Sequence, residues 1–78
     1  TIGNERRYAI IILLLRYGTL TGSDIAEKLG IHCATASKHL HRLTRAGIVV
    51  SKRNGKSVEF RLESDFRKKL LQSLEPLL

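Results

Sequence analysis

The chain has little cysteine, which can cross-link a fold, and little proline, which restricts the backbone: there is one of each, and the cysteine is Cys33. A lone cysteine excludes an intrachain disulfide, and nothing else in the sequence points to an oxidising compartment, so we expect a cytoplasmic protein. The single proline and 42% hydrophobic residues indicate a folded domain rather than a disordered segment. With 78 residues we expect one domain, residues 1–78, whose small core would benefit from a second copy of the chain.

Long hydrophobic runs are also missing. The run Tyr8–Leu15 has eight residues, far fewer than the ~20 needed to span a bilayer. Arg6 and Arg7 precede it as basic residues precede the apolar part of a secretory signal, but no small-residue cleavage site follows and Arg16 closes the run. We therefore expect neither secretion nor a membrane partner.

Acidic residues are few, and they are scarcest in residues 38–61. The chain carries 14 Lys and Arg against 7 Asp and Glu, a formal net charge of +7. Residues 38–61 hold seven of the basic residues and one acid, Glu59, an excess of six positive charges, while the flanking segments nearly balance. Charge concentrated in this way is typical of a surface that binds a polyanion. The alternative is a basic face that only keeps the protein soluble.

Catalytic and metal-binding constellations are absent from the sequence. There is no Gly-rich phosphate loop, no Ser/His/Asp set and no pair of carboxylates with a cleft to hold them. The one cluster of His and Cys lies on a predicted helix, where Cys33 and His41 stand ~12 Å apart along the axis and His39 and His41 differ by ~200° around it. Zinc ligands lie ~2.0–2.3 Å from their metal. We expect no enzyme, no cofactor and no metal site.

The first element is a helix over Asn4–Tyr17, which is rich in helix formers and is followed by Gly18 as a stop signal. Apolar residues fall on every side of this helix. Since a domain of this size can cover only one face, the other face is expected to meet a partner chain.

A helix-turn-helix pattern follows. Thr21 and Asp24 predict a capping box at the start of a short helix that runs through Leu29 and stops at Gly30. The next helix runs from Cys33 to Ala46, with a buried face formed by Ala36, Leu40 and Leu43. Two short helices joined by a tight turn containing Gly form this motif.

A β-hairpin and a last helix complete the chain. The strands Ile48–Arg53 and Lys56–Leu62 flank Asn54-Gly55, a strong signal for a two-residue turn. This turn pairs Arg53 with Lys56 and Val49 with Phe60, and it directs Val49, Val58 and Phe60 toward the core. The helix from Ser64 has Asp65 in its first turn and an apolar stripe widened by Leu71 and Leu78. The stripe consists of Phe66, Leu70, Leu74 and Leu77.

The order of these elements is that of a winged helix, and the residues from about Arg7 to Leu62 resemble the arsenical-resistance-repressor (ArsR) type of transcription regulator. The resemblance is carried by Ala34-Thr35-Ala36-Ser37, His39-Leu40, Leu43, Ala46-Gly47-Ile48-Val49 and Phe60-Arg61-Leu62. It implies an α+β, mostly helical fold with a two-stranded wing and extra terminal helices. It also implies a homodimer whose interface is formed by the helices of residues 1–17 and 63–78, with interface residues Tyr8, Ile12, Leu15, Phe66, Leu70 and Leu74.

The sequence departs from that family at its metal sites. Metal-sensing members carry a Cys-x-Cys pair where this chain has Thr21-Gly22-Ser23, and the last helix has no His for the other common metal site. Metal sensing is therefore not expected.

Double-stranded DNA is the expected partner of the basic region. Short polar side chains and Lys38 near the start of the second helix suit base edges, and the later cations suit phosphates. On the wing, Arg53 is the first choice for a narrow minor groove. The predicted DNA-binding residues are Ala34, Thr35, Ser37, Lys38, His41, Arg42, Arg45, Lys52, Arg53 and Lys56. The alternative is a winged-helix module that binds an acidic protein within a transcription or replication assembly.

Two further residues of the second helix of the helix-turn-helix motif are of interest, and for one of them, Cys33, two interpretations stay open. Cys33 lies in the first turn, where unpaired N–H groups favour a thiolate, so a redox role competes with simple gap filling near the turn. His39 lies close to the side of Leu40 and Leu43 and is expected to be partly buried and hydrogen-bonded.

Overall fold

Seven elements follow one another in a computed structural model that describes residues 2–74; the predicted stripe residues Leu77 and Leu78 lie outside this range. They are α1 (Ile2–Tyr17), β1 (Thr19–Thr21), α2 (Gly22–Leu29), α3 (Cys33–Arg45), β2 (Val49–Asn54), β3 (Ser57–Leu62) and α4 (Ser64–Leu74). The predicted α+β, mostly helical winged helix-turn-helix is confirmed.

The helix-turn-helix forms because its local signals are satisfied. The Thr21 hydroxyl accepts a hydrogen bond from the Asp24 N–H at 3.1 Å, and the Asp24 carboxylate accepts one from the Thr21 N–H at 3.3 Å. At the other end of α2, Gly30 adopts the left-handed conformation with φ +66°, which costs a residue with a Cβ more than it costs glycine. The Ile31 N–H donates back to the Ala26 carbonyl, which closes the helix end and turns the chain toward α3.

One core joins the helices to the sheet. Ile10 and Leu14, one turn apart on α1, are fully buried and pack in the same cluster as the inner side of α3 and the base of the sheet. The predicted buried face of α3 is confirmed. Among the residues whose burial is described, the buried apolar ones are Ile10, Leu14, Leu20, Ile25, Ala26, Ala36, Leu40, Leu43, Val49 and Leu62.

The sheet has three strands, not the two that we predicted, in the order β1-β3-β2 with antiparallel pairing throughout. The additional strand, β1, is only Thr19–Thr21, and its last residue is also the N-cap of α2. A segment this short carries no alternating pattern of its own. Its pairing with β3, with Leu20 opposite Phe60, comes from the tertiary fold.

The register of the hairpin also differs from the prediction. Gly55 has φ +66° and no non-glycine residue described has a positive φ, whereas a type I′ turn on Asn54-Gly55 would need positive φ at both positions. The turn is therefore Gly55-Lys56, with glycine first as in a type II′ turn, and it pairs Asn54 with Ser57.

This shift changes the strand partners and leaves the faces unchanged. Val49 lies opposite Leu62, and Val58 lies opposite Arg53. Val49 is buried and Phe60 half-buried, as predicted, but Val58 is 37% exposed because it lies beyond the end of the core. Val58 lies on the predicted face with Val49 and Phe60, but it is not part of the core.

Helix α4 begins with a cap of its own. The Glu63 carboxylate accepts hydrogen bonds from the Asp65 and Phe66 N–H groups at 3.0 and 2.9 Å, and these bonds hold the pKa of Glu63 below its usual value. No described residue of α4 is fully buried. Phe66 and Leu70 contact the edge of the core, which leaves the helix only partly covered.

His39, on α3, is the buried polar residue of the described chain. It is 8% exposed, as the predicted burial requires, and its Nδ1 has no hydrogen-bond partner among the described residues. Burial is the main cause that lowers the pKa of His39, and the nearby guanidiniums of Arg6, Arg42 and Arg7 lower it further. The native state therefore favours neutral imidazole.

We expect acid to destabilise the fold through His39. Its pKa is lower in the folded chain than the ordinary value of 6.5, so the unfolded chain binds more protons as the pH falls, and stability present above about pH 6.5 is lost below it. Urea unfolding at pH 7.5 and 5.5 should show this loss for the wild type and a smaller one for His39→Leu. His41→Gln, at an exposed position of the same helix, should keep the wild-type loss. An equal loss in His39→Leu would contradict the assignment.

Candidate nucleic-acid interface

The outward side of α3 carries seven of the predicted DNA-binding residues. Six of them are exposed and Thr35 is half-buried. Because α3 is held by its buried face, Lys38, His41 and Arg45, at spacings of three and four, lie together on the opposite side. The side facing solvent is thus small and polar near its start and basic toward its end.

The three predicted residues of the wing are exposed but differ in direction. Lys52 pairs across the strands with Glu59, and Arg53 pairs with Val58. Since neighbouring residues of a strand point to opposite faces, Arg53 shares the helix-facing side of the sheet while Lys52 lies on the outer side next to an acid. Lys56 is in the turn at the tip of the wing.

A cleft of about 440 Å³ separates the start of α3 from the tip of the wing. Ser37 and Cys33 line it from α3, and Lys56 and Ser57 line it from the wing, with Phe60 among the apolar side chains beneath them. The cleft brings together Ser37 and Lys56, which the sequence assigned to separate elements. Ser23, from the first turn of α2, and Ser57 also line it and were missed, because only the tertiary fold brings these hydroxyls next to α3.

Cys33 is exposed and free in this cleft. Its redox role stays a prediction. His32, just before α3, and His41 are exposed while His39 is buried, so His39 and His41 lie on different sides of α3. Within residues 2–74 no three His, Cys, Asp or Glu side chains come together in a way that could hold a metal ion.

A second surface lies on the far side of α1. The six predicted interface residues, together with Ile11, line one apolar groove of about 340 Å³ between α1 and α4. Tyr8 is 66% and Ile12 62% exposed, which confirms that α1 has apolar residues on both faces. None of the described helices is long and apolar enough to cross a membrane.

Solved structures with the same fold include regulators of known class. The transcriptional regulator HlyU from Vibrio vulnificus is 29% identical, with a TM-score of 0.78 over 94% of this chain and 75% of that one. A homodimeric winged helix-turn-helix DNA-binding domain from Mycobacterium bovis, a possible ArsR-family regulator, is 28% identical, with a TM-score of 0.79 over 92% of this chain and 66% of that one.

A more distant structure is similar in fold alone. The Zalpha domain of PKZ from Carassius auratus, solved in complex with Z-DNA, is 24% identical and has a TM-score of 0.73 over 80% of this chain and 98% of that one. No curated protein matches the sequence.

The family comparison covers the elements that form the interface. Residues 6–57 match the family described as HTH domain, a range that runs from α1 through the tip of the wing. The family and the fold are those of regulators that bind DNA. Since the match covers about two thirds of the sequence, the chain belongs to the HTH domain family.

Proposed function

We propose that this protein is a transcription regulator of the ArsR type that binds double-stranded DNA as a homodimer. The observation that carries the proposal is one open cleft between the small, polar start of α3 and the tip of the wing, with Lys56 in its wall and the exposed cations of α3 and the wing on the two elements that border it. A polyanion that contacted one of them would meet the other. The relatives described above support a DNA partner.

In the proposed complex α3 lies in the major groove. Ala34, Thr35 and Ser37 are small enough to let the helix approach the base edges, and Lys38 can donate to the guanine acceptors O6 and N7. His41, Arg42 and Arg45 lie further along α3, where they would contact phosphates. Such contacts fix the register of the protein on the duplex without reading its sequence.

The wing takes the neighbouring part of the duplex. Lys56 at its tip and Arg53 on its helix-facing side can follow the backbone or enter a narrow minor groove, where the negative potential is enhanced. Lys52, which lies opposite Glu59, is the weakest of the three contacts because that carboxylate partly offsets its charge.

The dimer would be formed by α1 and α4, which lie within the predicted interface segments 1–17 and 63–78. Their groove is apolar, it is formed by elements of both chain ends, and Tyr8 and Ile12 are left more than half exposed. Exposed apolar patches of this kind mark interaction sites. A two-fold dimer would present two α3 helices to half-sites about 34 Å apart and would prefer a palindrome.

Selection of duplexes by the purified protein should recover a palindromic sequence, with an affinity that falls steeply between 50 and 200 mM salt.

Lys38→Ala should relax base preference at one position per half-site, with a loss of about 1–3 kcal/mol in discrimination. Arg53→Ala and Lys56→Ala should weaken binding to all duplexes alike and reduce the salt dependence.

Lys68→Ala, at an exposed position of α4, is the control and should bind as the wild type does. Duplex binding that is undetectable or independent of salt would contradict the proposal. Tight binding of an acidic protein in place of DNA would favour the alternative of a protein-binding module.

Ile12→Glu should convert the dimer to a monomer, because it places a charge in the apolar groove at a position where the monomer already exposes the side chain. Sedimentation velocity at micromolar concentration measures the change. Arg16→Glu, one turn further along α1 and exposed, is the control and should stay dimeric. A wild-type protein that is monomeric when it saturates a palindrome would exclude the dimer.

A further inference from the structure

A cluster of arginines lies where the N-terminal part of α1 meets α3. The buried residues Ile10 and Leu14 are four apart on α1, and the same spacing continues back to Arg6. Arg6 and Arg7 are half-buried, whereas Asn4 and Glu5 before them are exposed. The buried stripe of α1 therefore continues into two partly buried arginines next to α3.

The surface opposite them belongs to α3. His39 is buried there, and Arg42 lies one turn further along on the same side of the helix. Helices α1 and α3 pack directly against each other. The charged groups that act on the His39 imidazole are guanidiniums alone, those of Arg6, Arg42 and Arg7. Two helices thus bring three positive charges to the neighbourhood of one buried, unpaired imidazole.

Three like charges near one another attract an anion. Arg6 and Arg7 are half-buried, so water screens their charge less than that of the exposed Arg42. Arg7 donates a hydrogen bond to the Asn4 side-chain oxygen, a neutral group that cannot balance the charge. The Nδ1 of His39 lacks a partner as well, which costs free energy in a buried site. An anion seated among the three guanidiniums would balance their charge.

The position of the cluster relative to the wing indicates which kind of anion the cluster would bind. Cys33, which lines the cleft toward the wing, and Arg42 are nine residues apart, which is about 180° around a helix. The cluster and the wing therefore lie on opposite flanks of α3. A helix in the major groove, which is about 12 Å wide, has a phosphate backbone on each side.

We propose that Arg6, Arg7 and Arg42 form a phosphate-binding cluster that contacts the DNA backbone on the flank of α3 away from the wing. The inference rests on the proposed DNA binding and extends it to α1, a helix with no predicted DNA-binding residue. With the wing on one side and the cluster on the other, α3 would be held across the groove from both backbones.

The test compares duplex affinity and its salt dependence for a double variant, Arg6→Gln with Arg7→Gln, against the wild type. Arg16→Gln, an exposed arginine of the same helix, is the matched control. Arg6→Lys with Arg7→Lys keeps the charge and tests whether charge or packing matters. Thermal unfolding by circular dichroism establishes that each variant is folded, and Arg7→Gln alone serves if the double variant is not.

We expect the double Gln variant to lose about tenfold in affinity for each phosphate contact removed at 0.1 M salt, and the slope of log K against log salt to become less steep by about 0.9 per contact. The double Lys variant should recover most of the affinity, and Arg16→Gln should match the wild type. The loss should be the same for all duplex sequences, since phosphates carry no sequence information.

A second measurement follows His39 in the wild-type protein by NMR, without any substitution. Neutralising the surrounding guanidiniums should raise the His39 pKa when the duplex binds, since their charge lowers it in the free protein. Inorganic phosphate at millimolar concentration is the second probe. If it produces the full shift while the double Gln variant keeps its DNA affinity, the cluster holds free phosphate and the DNA assignment is overturned.

Failure of this inference differs from failure of the proposed function. A wild-type protein that does not bind duplex DNA would remove both. The cluster alone would be overturned by two results together: a folded double Gln variant with the affinity and salt slope of Arg16→Gln, and a wild-type protein that binds duplex DNA with no change in its His39 pKa.

Discussion

The fold depends on the burial of one side of α3. Ala36, Leu40 and Leu43 are buried together with His39, and the three apolar side chains pack in one cluster with α1 and the base of the sheet. A helix fixed along its inner side has its outer side fixed as well, since 3.6 residues per turn leave no freedom between them. The direction of Lys38 and Arg45 is therefore set by the core, although neither residue belongs to it.

Helix α1 uses its two apolar faces for two different purposes. Ile10 and Leu14 stabilise the monomer, and Tyr8 and Ile12 stay exposed over the groove with α4. Burying an apolar side chain is worth about 1.5–3 kcal/mol, so a helix of this kind gains much from a partner. Helix α1 contacts α3 on one side and borders the groove on the other. In a dimer, few side chains would therefore separate the interface from α3, and the interface would set the orientation of α3.

The sequence predicted most of the helices and less of the sheet. Thr21, Asp24 and Gly30 fixed α2 because capping is local chemistry, and the stripe on α3 needed only its own periodicity. Strand β1 carried no pattern, since its partner β3 is far along the chain. The hairpin turn failed for a related reason, because Asn54-Gly55 and Gly55-Lys56 are both good turn sequences and the rest of the sheet decides between them. The sequence did not predict the cleft or the arginine cluster, because each is formed by side chains from separate elements that only the tertiary fold brings together.

Strand β1 has a mechanical effect on the wing. Residues Glu59, Phe60 and Arg61 of β3 are paired on both sides, with β1 and with β2, whereas Ser57 and Val58 are paired with β2 alone. A two-stranded ribbon is weak by itself and twists readily, while a three-stranded sheet over a core resists bending. The wing is thus stiff up to the pair Lys52 and Glu59 and more flexible beyond that pair. Lys56 and Arg53 lie on the more flexible part, so in the proposed complex with DNA they would be able to adapt to grooves of different width.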